Sequence, residues 1–207
     1  MLIEVAKKEG FELDLGSAEL LAILGDGSFR DALGELQKVL NFMGRDKKTR
    51  LDSRLDSAKR AARLVKREDV EKITGAPKSV LVNDFISAIA EKNLEKGITA
   101  VKIASEGNLD MKLYFKLIIE KFRIAIILRY APKLKDEMAG DLGETDLEFL
   151  QKLIKEDPST TLRAGKESMI NSRTLSILLE MYQNIDNAFI AELPLELALV
   201  KIINKEN

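Results

Sequence analysis

In Ser28-Phe29-Arg30-Asp31-Ala32-Leu33-Gly34-Glu35-Leu36-Gln37-Lys38-Val39-Leu40-Asn41-Phe42-Met43-Gly44, the side chains Phe29, Ala32, Leu33, Leu36, Val39, Leu40 and Met43 recur at i, i+3, i+4 and i+7. That is the spacing of one helix face. Ser28 with Asp31 three positions later predicts a capping box at the start, and Gly44 is placed as the C′ stop. The same period runs through most of the chain. Upstream, Ser17 is read as opening a short helix that Gly25 closes. Downstream, a short turn over Asp69–Ile73 is stopped by Thr74-Gly75-Ala76-Pro77, and helices are expected over Val80–Lys92 and Leu94–Ser105. Asp110 caps a long one reaching about Tyr130, before Pro132. Its Tyr114, Phe115, Leu117, Ile118, Phe122, Ala125 and Ile126 cover more than one face, so it belongs at the centre of a bundle. Further helices are expected over Asp146–Lys155, over Ser159–Asn187 as one long element, and from Pro194 to about Asn204, with Pro194 in the first turn. No stretch shows convincing period-2 alternation; Val80-Leu81-Val82 favours strand but leads straight into a helical pattern. The expected class is all-α: a small N-terminal helical unit, a basic connector and a C-terminal bundle of five or six helices.

Charge is unevenly distributed. The 207 residues hold 33 Lys+Arg and 34 Asp+Glu, a net of −1. Residues 45–67 hold ten Lys/Arg against three Asp, a local +7, while residues 1–44 carry 4 against 8 and residues 68–207 carry 19 against 23. Such a run is a solvated connector or, alternatively, a strip facing nucleic-acid phosphates. On the second reading Lys47, Lys48 and Arg50 are candidate contacts, and the lack of any aromatic residue in the run makes them blind to base sequence.

Cysteine and histidine are absent, which excludes disulfides, thiolate or imidazole metal sites, and Cys- or His-based catalysis. No secretory signal opens the chain, and its longest apolar stretch is interrupted by Glu120, Lys121 and Arg123. A soluble, cytoplasmic protein without membrane contact is expected. There is no phosphate-loop motif and no dinucleotide fingerprint. Gly25-Asp26-Gly27 reads by itself as a helix–helix turn. Arg30 is the anomaly: a cation in the first turn opposes the helix dipole. It either pairs with Asp26 or Asp31, or it stands ready for an anion at the helix start.

Gly27-Ser28-Phe29-Arg30-Asp31-Ala32-Leu33 resembles the G-S-x-R-D-A-L signature in the lid of bacterial DNA polymerase III gamma/tau subunits, the ATPase subunits of the sliding-clamp loader. Val5-Ala6-Lys7-Lys8-Glu9-Gly10 precedes it at the family's spacing. Glu68-Asp69-Val70-Glu71-Lys72-Ile73-Thr74-Gly75 resembles the family's connection into its third domain. Leu193-Pro194-Leu195-Glu196-Leu197-Ala198-Leu199-Val200 resembles the opening of that domain's last helix.

The resemblance implies AAA+ lid helices over 1–44, a basic connector and the end of the lid over 45–76, and a helical collar for oligomerisation over 77–207. It implies that Arg30 is the sensor-2 arginine that reaches ATP phosphates, with Gly27, Ser28 and Asp31 as the lid motif around it. It also implies partnership through the collar with delta, delta prime and further gamma/tau copies, and through the whole complex with the sliding clamp and primed DNA. The family's ATPase domain, with its phosphate loop, magnesium site and zinc-binding cysteines, is not in this sequence. The expectation is therefore a lid-plus-collar fragment with no catalytic residue, metal or cofactor of its own, ATP and Mg²⁺ belonging to the full-length DNA polymerase III subunit. Two other readings stay open: a replication-factor-type clamp-loader subunit, and a non-catalytic helical adaptor in which Arg30 only pairs locally.

Overall fold

A computed structural model describes residues 1–45, 63–134, 143–157 and 168–204. The described residues form ten α-helices, two 3₁₀ turns and one pair of three-residue strands, so the protein is predominantly all-α. They divide into two compact units. Unit 1 comprises Met1–Ala76 with Gly140–Glu144, and unit 2 comprises Pro77–Ala139 with Thr145–Asn207. Among the described residues no helix is long and apolar enough to cross a membrane.

In unit 1, α1 (Leu2–Lys8) leads into β1 (Phe11–Leu13), followed by α2 (Leu15–Leu24), α3 (Phe29–Arg45), β2 (Arg63–Val65) and α4 (Arg67–Thr74). The stripe on α3 is buried at Ala32, Leu36, Val39, Leu40 and Met43, and α3 packs against α2 and α4, where Leu20, Leu21 and Val70 are also buried. Phe29 departs from the pattern; at the first position of its helix it is 44% exposed.

Three expectations in this unit need correction. The helix before Gly25 begins two residues earlier than Ser17, because Asp14 is its cap and accepts from the Ser17 backbone N–H at 2.6 Å. The buried Ser17 hydroxyl instead donates to the Val65 carbonyl at 3.1 Å. Second, a strand pair exists: β1 and β2 run parallel with Phe11, Glu12 and Leu13 opposite Arg63, Leu64 and Val65. Three residues show too little alternation to register as a period, and their partners lie about fifty positions apart in sequence. Third, the basic run does not act as connector throughout. Arg63 donates to the Met43 carbonyl, and Arg67 is held between Glu19 (3.1 Å) and Glu71 (3.3 Å), so both belong to the unit. Gly75, left-handed at φ 74°, then ends α4.

Unit 2 contains α5 (Ser79–Glu91), α6 (Leu94–Glu106), α7 (Met111–Tyr130), α8 (Glu144–Glu156, whose first residue groups with unit 1), α9 (Ser172–Gln183) and α10 (Leu193–Ile203). Asp110 caps α7 by accepting from the Leu113 backbone N–H at 3.0 Å, as expected. Eleven α7 residues are buried, and the helix packs against α5, α6 and α9, which explains why its apolar residues wrap around it. Edge-to-face pairs join Phe85 to Tyr114 (6.3 Å) and Phe115 to Tyr182 (5.7 Å). Gly97 lets α6 approach α10 closely: a Cβ there would lie 2.7 Å from Leu199 Cδ1.

The single helix expected over Ser159–Asn187 is not what forms. Residues 159–167 lie outside the described residues, and Ser168–Asn171 are not helical. The α9 helix starts only at Ser172, where Asn171 accepts from the Thr174 backbone N–H at 2.9 Å, and a 3₁₀ turn at Ile185–Asn187 follows it. Tertiary bonding overrides the local period here. Ser168 is buried against Arg129 and Asp157, themselves paired at 2.6 Å, and its hydroxyl accepts from the Ile170 backbone N–H at 3.0 Å.

Tyr114 carries a testable pH dependence. Its hydroxyl donates to the Leu81 carbonyl at 3.0 Å. Burial first, and then the Asp84 carboxylate, hold its ionisation well above the ordinary 10.0. The folded state keeps this proton longer than the unfolded chain does. The stabilisation is therefore whole below the unfolded value and is lost as pH climbs beyond it. Thermal melts from about pH 8 to about pH 11 should show a steeper alkaline decline for the parent than for Tyr114→Phe. Parallel declines would remove Tyr114 as the cause.

Candidate functional site

The turn between α2 and α3 is built by four residues with separate tasks. Gly25 ends α2, its backbone N–H donating to the Leu21 carbonyl at 3.1 Å. It must be glycine for reasons of space: a Cβ would sit 2.6 Å from Ala32 Cβ and 2.8 Å from the Ser28 carbonyl oxygen. Asp26 and Gly27 follow with φ 47° and 81°, the left-handed region that Asp tolerates and glycine adopts without strain. Ser28 then starts α3. Its hydroxyl accepts from the Asp31 backbone N–H at 3.3 Å and its carbonyl from Ala32 at 3.0 Å.

Only half of the expected capping box forms. The Ser28 backbone N–H donates to the Gly25 carbonyl at 2.7 Å, so it is not left for the Asp31 carboxylate.

Arg30 and Asp31 both emerge into solvent from the first turn. Among the described residues Arg30 forms no ion pair with Asp26 or Asp31 and no hydrogen bond from its side chain. An exposed guanidinium therefore stands at the positive end of α3, where the first backbone N–H groups have no intrahelical acceptor. This donor set fits an oxygen of an anionic group such as phosphate. It does not by itself make a nucleotide cradle, and among the described residues no cluster of three or more carboxylates could hold a metal ion.

Lys47, Lys48 and Arg50 lie outside the described residues. At the far end of that run, Arg63 and Arg67 are engaged in contacts within unit 1. Sequence reasoning missed the role of Gly25. A glycine after a leucine-rich helix reads as an ordinary stop, and its contact with Ala32, seven positions on, depends on the angle between two helices.

No family model matches this chain, and no curated protein matches it. Among solved structures, the Bacillus subtilis DNA clamp loader delta protein (YqeN) is similar over 98% of this chain and 54% of its own, at 15% sequence identity and a TM-score of 0.46. The chain thus spans about half the length of that neighbour.

Proposed function

We propose that this chain is the lid-and-collar portion of a clamp-loader subunit, of the gamma/tau type that its Gly27–Leu33 signature resembles, working in the cytoplasm in ATP-driven placement of the sliding clamp on primed DNA. The observation that carries the reading is Arg30: exposed, without an ion partner among the described residues, and held at a helix start by the left-handed Gly27 and the capping hydroxyl of Ser28. An unneutralised cation in that position costs a few tenths of a kcal/mol against the dipole, a penalty that an arriving phosphate would reverse. In this reading Arg30 senses ATP bound to the subunit's motor domain, and the six-helix bundle holds neighbouring loader subunits. ATP bound in that domain would supply the phosphate charge, with its Mg²⁺, while Arg30 alone supplies neither a metal ligand nor a phosphate cradle. The chain by itself is accordingly expected to turn over no ATP.

Arg30→Ala tests the reading by comparison. In this chain the exposed side chain has no ion pair or hydrogen bond to lose among the described residues, so melting should move by no more than about 0.5 kcal/mol. In a reconstituted loader built on the full-length subunit, loss of a charge-assisted bond of about 1.5–3 kcal/mol should cut ATP-dependent clamp loading roughly ten- to hundredfold. Normal loading by the variant complex would end the sensor assignment.

A further inference from the structure

The outward side of α10 and the loop before it leave a run of large apolar side chains in water. Phe189 is fully exposed, while Ile190, Leu193 and Leu197 are 47%, 38% and 45% exposed. The opposite side of the same helix, through Leu195, Ala198, Leu199 and Ile202, fills the bundle core. Leu193 and Leu197 are one helical turn apart, and the Leu193 backbone N–H bonds to the Ile190 carbonyl at 3.2 Å, continuing the outward run into the loop. Apolar residues scattered singly over a surface need no explanation, but a contiguous run does. Phenylalanine is also among the residue types enriched at interface centres.

The charge around this run limits what can cover it. Glu192 and Glu196, each adjacent in sequence to one of the exposed leucines, make no ion pair among the described residues. The next cation along the chain, Lys201, is already engaged with Glu180 at 3.1 Å. A two-fold pairing of identical copies through this surface would bring the same two carboxylates to both sides of the interface, because an isologous contact uses one patch twice. A basic partner would instead neutralise them while covering the apolar centre.

We propose that the Phe189–Leu197 surface docks an amphipathic helix of a partner protein whose apolar side chains are flanked by lysine or arginine. Phe189, Ile190, Leu193 and Leu197 supply the apolar contact, and Glu192 and Glu196 set orientation and charge preference. The surface depends neither on Arg30 nor on a nucleotide, so it can fail or stand separately from the sensor role.

The probe is a fluorescent peptide of about eighteen residues, or five helical turns, with leucines at i, i+3, i+4 and i+7 and lysines elsewhere. A control peptide carries glutamate in place of every lysine. Titrated with the full chain at about 0.1 M salt, where exposed charges act over roughly 10 Å, the lysine peptide should bind at least about tenfold more tightly than its control. Phe189→Ser with Leu193→Ser, and separately Glu192→Gln with Glu196→Gln, should each weaken it by a similar factor. Melting temperatures should stay in place for the glutamate pair and fall modestly for the apolar pair, since Phe189 is fully exposed but Leu193 is partly covered. Equal binding of the two peptides, or binding indifferent to both variants, would overturn the proposal. So would sedimentation showing self-association of the full chain that Phe189→Ser with Leu193→Ser abolishes, because the surface would then belong to a second copy.

Discussion

Asp146→Ala will destabilise the bundle by about 3–5 kcal/mol, the cost of leaving a buried charge without its counter-ion. Lys121 on α7 is only 5% exposed, and its ammonium donates to Asp146 at 2.8 Å, Ser79 at 2.8 Å and Asn83 at 2.9 Å. The Ser79 hydroxyl in turn donates to Asp146 at 2.7 Å. Three helices, α5, α7 and α8, are thereby joined around one cation. The cost arises from stranding the ammonium and not from a large net value of the pair, so Lys121→Met combined with Asp146→Leu should recover most of the loss. All three tyrosines, Tyr114, Tyr130 and Tyr182, lie in unit 2 and there is no tryptophan. Tyrosine near-UV dichroism during urea unfolding therefore reports on this unit alone. A loss under about 1 kcal/mol in the single variant would mean that water reaches the ammonium.

Gly25→Ala will cost unit 1 about 3 kcal/mol, at the upper end for overpacking. The added methyl would fall 2.6 Å from Ala32 Cβ and 2.7 Å from the Ala32 backbone nitrogen, and Ala32 is only 4% exposed. Backbone cannot yield as a side-chain tip can, so α2 and α3 must separate, and Arg30 moves with α3. Gly27→Ala supplies the contrast. Open space surrounds its Cβ position, and only the left-handed φ of 81° resists, a penalty of about 1–2 kcal/mol. Amide hydrogen exchange over α2 and α3 should rank Gly25→Ala as the more damaging. The reverse order would show that backbone conformation, and not helix approach, makes the turn.

Helical period alone located most of this protein. The α3 stripe, the fully wrapped α7, the Asp110 cap and the Pro194 start are local features, and local spacing and capping chemistry were enough to find them. The dipole argument that singled out Arg30 was also local, and so was the seven-residue signature around it. What could not be read was everything that depends on partners remote in sequence. Ser168 leaves the helical pattern because Arg129 and Asp157 hold it, and β2 exists because β1 meets it across some fifty residues. Arg63 and Arg67 looked like solvated charge, yet Met43, Glu19 and Glu71 claim them. The same division applies at the candidate site. Composition and spacing determined that Arg30 is a cation at a helix start, since both follow from the order of residues along one turn. Only the tertiary structure decided that neither Asp26 nor Asp31 pairs with it, and that Gly25 has no room for a methyl group. Those outcomes depend on the angle at which two helices meet, and packing sets that angle.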